Sequence, residues 1–429
     1  MHRRQFIRQL AWAGGLSTFP VFAGPLLAQS SYNGKLLLTL QLDGGVDVTS
    51  FCDPKMNVLG EPEINRWART DEIRSAGNIS YAPYADNQRF FDKYFADMLV
   101  INGVDAQTNS HSVGIVNNWS GRNSDGFPSL TAIMAASNAP ELPLAYLNFG
   151  GFGNTQSIIR SSRIDDVSQI ENIIFPNVVQ NGGGSTYRRQ SDWERIQRLQ
   201  MQNMERLAQA SGIPAGNRRN RQFYQDALLR AEGIKVFGDL IPPADEIQQR
   251  RELSASFSSN LHQQIQVCLL AFKSGVAITA DLFDGGYDTH EDHDTDHPIL
   301  LANSTDAIDY LWTYAEELGL ADRIVLVIGS DFGRTPFFNS GDGKDHWPIG
   351  STIIMEKNAA FTNRVIGETD GGHNTLPINP QTLAQDNVNG VIIQPAHVHK
   401  ALRRYLGIHN NSISSQFPFN NTEEFDFFG

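Results

Sequence analysis

The stretch RIVLVIGSD, residues 323–331, decides the fold class. Its apolar residues follow one another without a polar interruption, which is typical of a strand covered on both faces. Helical segments lie between several runs of this kind. The sequence therefore predicts an α/β sandwich, with a largely parallel sheet between helices. The other strand-like runs are 35–43, 98–104, 143–149, 275–283 and 351–357.

Two helices and an insertion complete the predicted organisation. The segment 298–320 predicts a long helix that begins at Pro298, and 397–406 predicts a final helix. Residues 185–265 are rich in Gln, Arg and Glu and predict a helical insertion, with a break over 212–220. The arginines of this insertion are interpreted as a solvated face.

Composition excludes several classes of protein. The chain has 429 residues and a formal net charge of -13, and no dense Lys or Arg stripe follows the N-terminus, which argues against nucleic acid as a partner. Its two cysteines, Cys52 and Cys268, allow a single disulfide at most. There is no P-loop, and GGFGN at 150–154 lacks the spacing of a dinucleotide fingerprint.

The N-terminus is typical of a signal peptide. Residues 1–28 combine a basic start, a modest apolar stretch and small residues, and Arg3-Arg4 indicates the twin-arginine form. No later segment is long and apolar enough to cross a bilayer. We therefore expect a single α/β domain over 29–429 that is exported or periplasmic.

Acidic and histidine residues follow several predicted strands. Ligands gather at the carboxyl ends of parallel strands, so these residues are candidates for a site. Asp43 precedes two glycines in LDGG and is a candidate metal ligand, with a tight turn as the plainer reading. In NSHS, Ser110 or His111 is a candidate for catalysis at the start of a short helix, with an N-cap as the alternative.

The densest group of potential ligands is DGGYDTHEDHDTDHP, residues 284–298. Its candidate metal ligands are Asp288, His290 and His293, because carboxylates and imidazoles suit divalent ions. Its order does not fit a calcium-binding EF-hand loop. A solvated acidic loop is the alternative.

The connection 329–347 brings further candidates. Asp331 ends a strand as Asp43 does, and His346 follows a glycine-bearing loop that can return it to the same edge. Arg334 is a candidate contact for an anionic substrate or an ion-pair partner of an aspartate.

Together these motifs carry a resemblance to a known family. The twin-arginine start, LQLDGG, NSHSVG, YDTH, SDFGRTP and KDHW resemble the bacterial DUF1501 family, related to the alkaline phosphatase and sulfatase superfamily. The resemblance implies an alkaline phosphatase-like sandwich and a hydrolase site with one or two divalent metals. Zinc is the first expectation, with manganese, calcium or magnesium as alternatives.

The resemblance also implies roles for residues and a substrate class. Asp43, Asp288, Asp331 and His346 match metal-ligand positions, with His290 or His293 as a further ligand, and Ser110 or His111 falls at the nucleophile position. The expected substrate is a phosphate or sulfate ester, linked to a glycan or a lipid.

Two departures favour a different function. The superfamily commonly has Asp-His where this chain has Asp331-Phe332, and its usual nucleophile signature is absent from NSHSVG. The alternative is a non-catalytic periplasmic binding or assembly protein on the same fold, with a structural metal.

Overall fold

A central sheet organises the protein in a computed structural model, which describes residues 32–164, 174–179, 185–209, 234–242 and 246–429. Among these residues the sheet has eight strands. In chain order they are β1 (Leu36–Leu42), β2 (Met98–Asp105), β3 (Tyr146–Asn148), β4 (Ser161–Arg163), β5 (Thr279–Asp284), β6 (Ile324–Ser330), β7 (Ile349–Met355) and β8 (Arg364–Ile366).

The order across the sheet is β8-β2-β7-β6-β1-β5-β3-β4. Strand β7 pairs antiparallel with β6 and with β2, and the other neighbouring pairs are parallel. The prediction of a largely parallel sheet is confirmed.

Helices cover both faces of this sheet. The helices of the described residues include α1 (Asn87–Tyr94), α2 (His111–Ser120), α3 (Leu130–Asn138), α4 (Gln190–Gln209), α5 (Leu261–Lys273), α6 (His293–Glu317) and α7 (Pro395–Tyr405). Alternate residues of β1 enter different cores, because successive side chains of a strand point to opposite faces. Leu36 and Leu38 join the core that includes residues of α5 and α6, whereas Leu37 joins the core that includes residues of α3 and α7.

Three central strands end at one edge. In the ladder, Leu42 at the end of β1 is level with Ser330 of β6 and with Asp284 of β5. The residues that follow these strands therefore emerge side by side. A short antiparallel ladder, Gly333–Arg334 with His346–Trp347, returns the chain to the same edge before β7 begins.

Some predicted boundaries shift. Helix α6 begins at His293 and not at Pro298, which lies inside the helix. Asp292, with φ 47°, stands before the first turn, and Asp294 and Asp296 in that turn suit the positive end of the helix dipole. The last helix begins at Pro395, two residues earlier than predicted.

Other predictions fall partly outside the described residues. Helix α4 lies within the predicted insertion, but the predicted break at 212–220 and the signal peptide at 1–28 lie outside them. Cys52 and Cys268 are both buried and free, so the single disulfide that the sequence allowed does not form. No helix among the described residues could span a membrane.

Candidate metal centre

Three histidines surround Asp288 at the edge where β1, β5 and β6 end. His111, Asp288 and His346 each offer a ligand atom, and these atoms lie within 4.8 Å of one another. His290 adds a third ring, with Nε2 3.0 Å from Asp288 Oδ1. Parts of the chain far apart in sequence therefore meet around one carboxylate.

His111 is held by the start of α2. The helix packs closely on the end of β6 because Gly114 has no side chain, and a Cβ there would lie 2.5 Å from the carbonyl oxygen of Asp331. This contact brings His111 Nδ1 onto Asp331 Oδ2. Its other nitrogen, Nε2, lies 3.5 Å from Asp288 Oδ2.

His346 is oriented by a backbone carbonyl. Its Nδ1 lies 2.8 Å from the carbonyl oxygen of Asn109. A carbonyl can only accept, so Nδ1 carries a hydrogen and Nε2 is the ring atom left to bind a ligand. That atom lies 3.1 Å from Asp288 Oδ1.

His290 is oriented by a carboxylate. Its Nδ1 lies 2.8 Å from Asp345 Oδ1, and hydrogen bonds from His290 and Asn339 lower the pKa of Asp345. The ionised carboxylate accepts, so Nδ1 of this ring also carries a hydrogen and Nε2 is left to bind a ligand. The Nε2 atoms of His290 and His346 are 2.9 Å apart.

The converging atoms form a site that suits a positive charge. When both rings are neutral and protonated at Nδ1, their Nε2 lone pairs lie 2.9 Å apart and repel each other, and Asp288 brings a carboxylate oxygen to the same point. Burial would raise the pKa of Asp288, but the hydrogen bond and the positive charge of Arg334 lower it, so the carboxylate is ionised. The donor set of imidazole nitrogens and a carboxylate fits a divalent transition metal.

Asp331 orients the His111 ring and does not itself point at Asp288. It is fully buried, and its Oδ1 accepts from the backbone N–H groups of Gly44 and Gly45 at 3.0 and 2.9 Å, while Oδ2 meets His111. A carboxylate behind a ligating histidine fixes the ring and its tautomer. Asp331 therefore connects the turn after β1 to the centre.

Arg334 is also fully buried, and its donors are occupied. Nε donates to the carbonyl of Gly45 and Nη1 to that of Lys344, both at 2.9 Å. Nη2 donates to Asp288 Oδ1 at 2.5 Å. Of the two roles that the sequence left open, the structure shows the ion pair with an aspartate.

Asp43 borders the cluster without belonging to it. Its Oδ1 lies 3.4 Å from Gln41 Nε2, which lies equally far from Asp331 Oδ1. Burial, and then the negative charge of Asp331, raise the pKa of Asp43. The two acids thus repel each other in the absence of a cation.

Ser110 stands at the N-cap of α2. Its side chain makes no capping bond, and its hydroxyl lies 3.3 Å from that of Ser112 on the exposed side. The N-cap reading from the sequence therefore does not account for this hydroxyl. It immediately precedes His111.

His293 lies in a second, buried cluster. Its Nε2 is 3.2 Å from Asp47 Oδ2 and its Nδ1 is 2.7 Å from Thr289 Oγ1. Lys344 Nζ donates to the same Asp47 oxygen at 2.6 Å, and the His297 ring stacks on that of His293. The structure therefore does not bring His293 to the centre around Asp288.

Several residues that build the centre were missing from the sequence-based candidates. Asp345 and Asn109 position histidines by contacts that only folding creates, and Asn339 supports Asp345. The turn-like composition of NSGDG, residues 339–343, signalled a loop that could return His346 to the site, but it did not indicate a supporting role for Asn339.

The family model described as "Protein of unknown function (DUF1501)" matches residues 167–412, more than half of the chain. The chain belongs to the DUF1501 family. The resemblance read from the motifs is thereby confirmed. No protein with a curated description matches the sequence.

Solved structures similar to this DUF1501 protein include sulfatases and related enzymes. The PsFucS1 sulfatase from Pseudoalteromonas sp. is 10% identical, with 87% of this chain and 68% of that chain covered and a TM-score of 0.37. The lipoteichoic acid synthase LtaP from Listeria monocytogenes is 11% identical, over 89% and 74%, with a TM-score of 0.35. The phosphonate monoester hydrolase of Agrobacterium radiobacter is 10% identical, over 87% and 74%, with a TM-score of 0.35.

Proposed function

We propose that this protein is an exported metal-dependent hydrolase of phosphate or sulfate esters, with zinc as the first candidate metal. His111, Asp288, His290 and His346 would hold the ion. A divalent cation there would polarise an ester oxygen and add the positive charge that an anionic substrate needs.

One observation supports this proposal above the others. The Nε2 atoms of His290 and His346 lie 2.9 Å apart, with Asp288 Oδ1 within 3.1 Å of both. A shared proton bridges only two atoms, whereas a metal ion satisfies all of these donors and His111 at once. The repulsion between Asp43 and Asp331 would also be relieved by a cation.

The chain's own residues supply orientation around the ion. Asp331, Asp345 and the Asn109 carbonyl keep the Nδ1 hydrogens of three rings occupied, so their Nε2 atoms face Asp288. Ser110, at the N-terminus of α2, places a hydroxyl and free backbone N–H groups beside His111, which suits an anion. Ser110 is the proposed nucleophile.

The site favours one cation rather than two. The guanidinium of Arg334 already lies on Asp288 Oδ1. The Phe332 ring packs on His111, with 4.8 Å between ring centroids, and on His346, with 4.6 Å. The positive charge of Arg334 and the apolar ring of Phe332 thus occupy positions where a second metal would need ligands. We expect one metal ion per chain.

The test is metal analysis of the purified mature protein, followed by turnover of aryl phosphates and aryl sulfates. Wild type should hold one divalent ion, and Asp288→Asn should lose both the ion and the activity. Asp309→Asn is the matched control, because Asp309 pairs with Arg89 and Lys93 elsewhere on the surface. Protein without metal and without turnover after reconstitution would refute the proposal.

Ser110→Ala separates two versions of the reaction. If Ser110 is the nucleophile, the variant loses turnover but keeps its metal. Unchanged turnover would assign the attack to water and contradict the covalent version.

A structural metal on a non-catalytic binding or assembly protein is the second candidate. The substitution of Phe332 for the superfamily's histidine favours it. This candidate predicts that wild type turns over no ester. It also predicts that Asp288→Asn has a lower melting temperature than wild type. Metal-dependent turnover by wild type would exclude this candidate.

Export through the twin-arginine pathway is part of the proposal and rests on residues 1–28. Replacing Arg3 and Arg4 with lysines should retain the protein in the cytoplasm. Unchanged export of that variant would contradict it.

A further inference from the structure

The loop 339–345 closes on His290 with unusually little space. Gly343 lies against the backbone of His290, and a Cβ on it would be 1.9 Å from the His290 carbonyl oxygen. The loop is held shut by a bond from the Asn339 N–H to the Gly343 carbonyl, at 2.8 Å. The position of His290 is therefore tied to this loop.

Asn339 uses both ends of its amide in this loop. Its Oδ1 accepts from the backbone N–H groups of Gly341 and Gly343, at 2.9 and 3.0 Å. These two bonds are the local turn pattern that asparagine often forms. These bonds account for the conformation of the loop, but not for the contacts of the Asn339 Nδ2 group.

The amide nitrogen of Asn339 points at the histidine instead. Nδ2 donates to the His290 carbonyl oxygen at 2.9 Å and to Asp345 Oδ1 at 3.0 Å. That same Asp345 oxygen accepts from His290 Nδ1 at 2.8 Å. One amide group thus holds both the backbone of His290 and the carboxylate that orients its ring.

We propose that Asn339 is a positioning residue of the metal centre: its Nδ2 group fixes Asp345 and the His290 backbone together, so that His290 Nε2 faces Asp288. This inference rests on the proposed metal site and adds a residue that touches neither metal nor substrate. Loss of the Nδ2 donor should let Asp345 and the His290 ring rotate. Loss of the Oδ1 acceptor should only loosen the loop.

Asn339→Asp separates these two ends, since the carboxylate still accepts from the glycine N–H groups but cannot donate. Substitution of a residue that orients a metal ligand typically lowers metal affinity about 10- to 100-fold. We expect the zinc Kd, measured by competition with a chromophoric chelator, to rise about tenfold. Asn339→Ser, which also keeps a local acceptor but cannot reach Asp345, should behave alike and serves if the first variant does not fold.

Asn379→Asp is the matched control. Asn379 likewise accepts from two backbone N–H groups, of Gln381 and Thr382, and donates to a carboxylate, Asp386. It lies in a different turn, so its substitution should leave the zinc Kd unchanged. An equal rise in this control would contradict a specific role for Asn339.

A double-mutant cycle distinguishes positioning from general damage to the loop. If Asn339 acts through His290, Asn339→Asp should change the zinc Kd little in a His290→Ala background. A change as large as in wild type would overturn the proposal.

A second readout needs no metal. Proton NMR of the apo protein should show a slowly exchanging His290 Nδ1–H in wild type, protected by its hydrogen bond to Asp345, and a faster exchange in Asn339→Asp. Equal exchange in both proteins would overturn the positioning role. Absence of zinc binding to wild type would instead refute the proposed function, and the exchange comparison would still decide the role of Asn339.

Discussion

Lys344 Nζ lies 2.6 Å from Asp47 Oδ2, and both side chains are fully buried. Although burial would raise the pKa of Asp47, the charge of Lys344 and the bond to His293 hold it well below its usual range. This pair connects the segment after β1 to the loop that carries His346. It therefore supports the edge of the sheet on which the centre is built.

Breaking this pair should destabilise the protein strongly. Lys344→Met leaves the Asp47 carboxylate buried without its cation, and such a loss costs about 3–5 kcal/mol. Urea unfolding measures it, and Lys93→Met, in a partly exposed pair with Asp309, should change the free energy of unfolding by about 1 kcal/mol or less. Similar effects of the two substitutions would contradict the importance of the buried pair.

Asp331→Asn tests the carboxylate behind His111. The amide can still accept from Gly44 and Gly45 through its oxygen, but its nitrogen cannot accept from His111 Nδ1. We expect metal affinity to fall about 10- to 100-fold. The free energy of unfolding of the metal-free protein should change less. Titration with zinc measures this change.

Asp386→Asn is the control for that substitution, because Asp386 also accepts two backbone N–H groups, those of Val388 and Asn389. Its metal affinity should equal that of wild type. Wild-type affinity in Asp331→Asn as well would show that Asp331 does not orient a ligand.

Gly343→Ala tests the close packing of the loop on His290. The added methyl group would overlap the His290 carbonyl, and relief of such a clash typically costs about 1–3 kcal/mol. Thermal and urea unfolding measure the loss. Gly371→Ala should be nearly neutral, since nothing lies within 4 Å of its Cβ position. Equal stability of the two variants would mean that the loop is not packed as described.

Buried histidines predict a loss of stability in mild acid. Burial lowers the pKa of His399 from 6.5 to about 4, and its Nε2 donates to the Asn118 carbonyl. The unfolded chain takes up a proton near pH 6.5 but the folded protein does not, so the free energy of unfolding falls as pH drops from 6.5 to about 4. This residue contributes on the order of 3 kcal/mol to that fall.

The pH dependence of urea unfolding between pH 7 and pH 4.5 measures this effect. His399→Asn should make the free energy of unfolding depend less steeply on pH, whatever the variant's stability at pH 7. His409→Asn, at an exposed histidine, should keep the wild-type slope. An unchanged slope in His399→Asn would contradict the assignment.

Much of the fold was predictable from local patterns. The apolar runs that become β1, β2, β5, β6 and β7 were recognised because a strand buried on both faces is composed mostly of apolar residues. The start of α6 was placed five residues late, because Pro298 is a common first residue of a helix and tertiary packing extended the helix beyond it.

The site was predictable only in part. Acids and histidines after β1, β5 and β6 pointed to the correct edge of the sheet, since parallel strands end together. His290 and His293 were indistinguishable in sequence. The structure turns His290 toward Asp288 and His293 toward Asp47, because α6 begins at His293 and carries that ring into the interior.

By itself the sequence determined the strands, the family and the supply of possible ligands, because apolar periodicity and residue type are local properties. Only the tertiary structure decided which ring nitrogens face one another. The tautomer of His346 depends on the carbonyl of Asn109, 237 residues away, and that of His290 on Asp345 and the loop behind it. Hydrogen-bond partners so distant along the chain are chosen by the packing of the sheet edge.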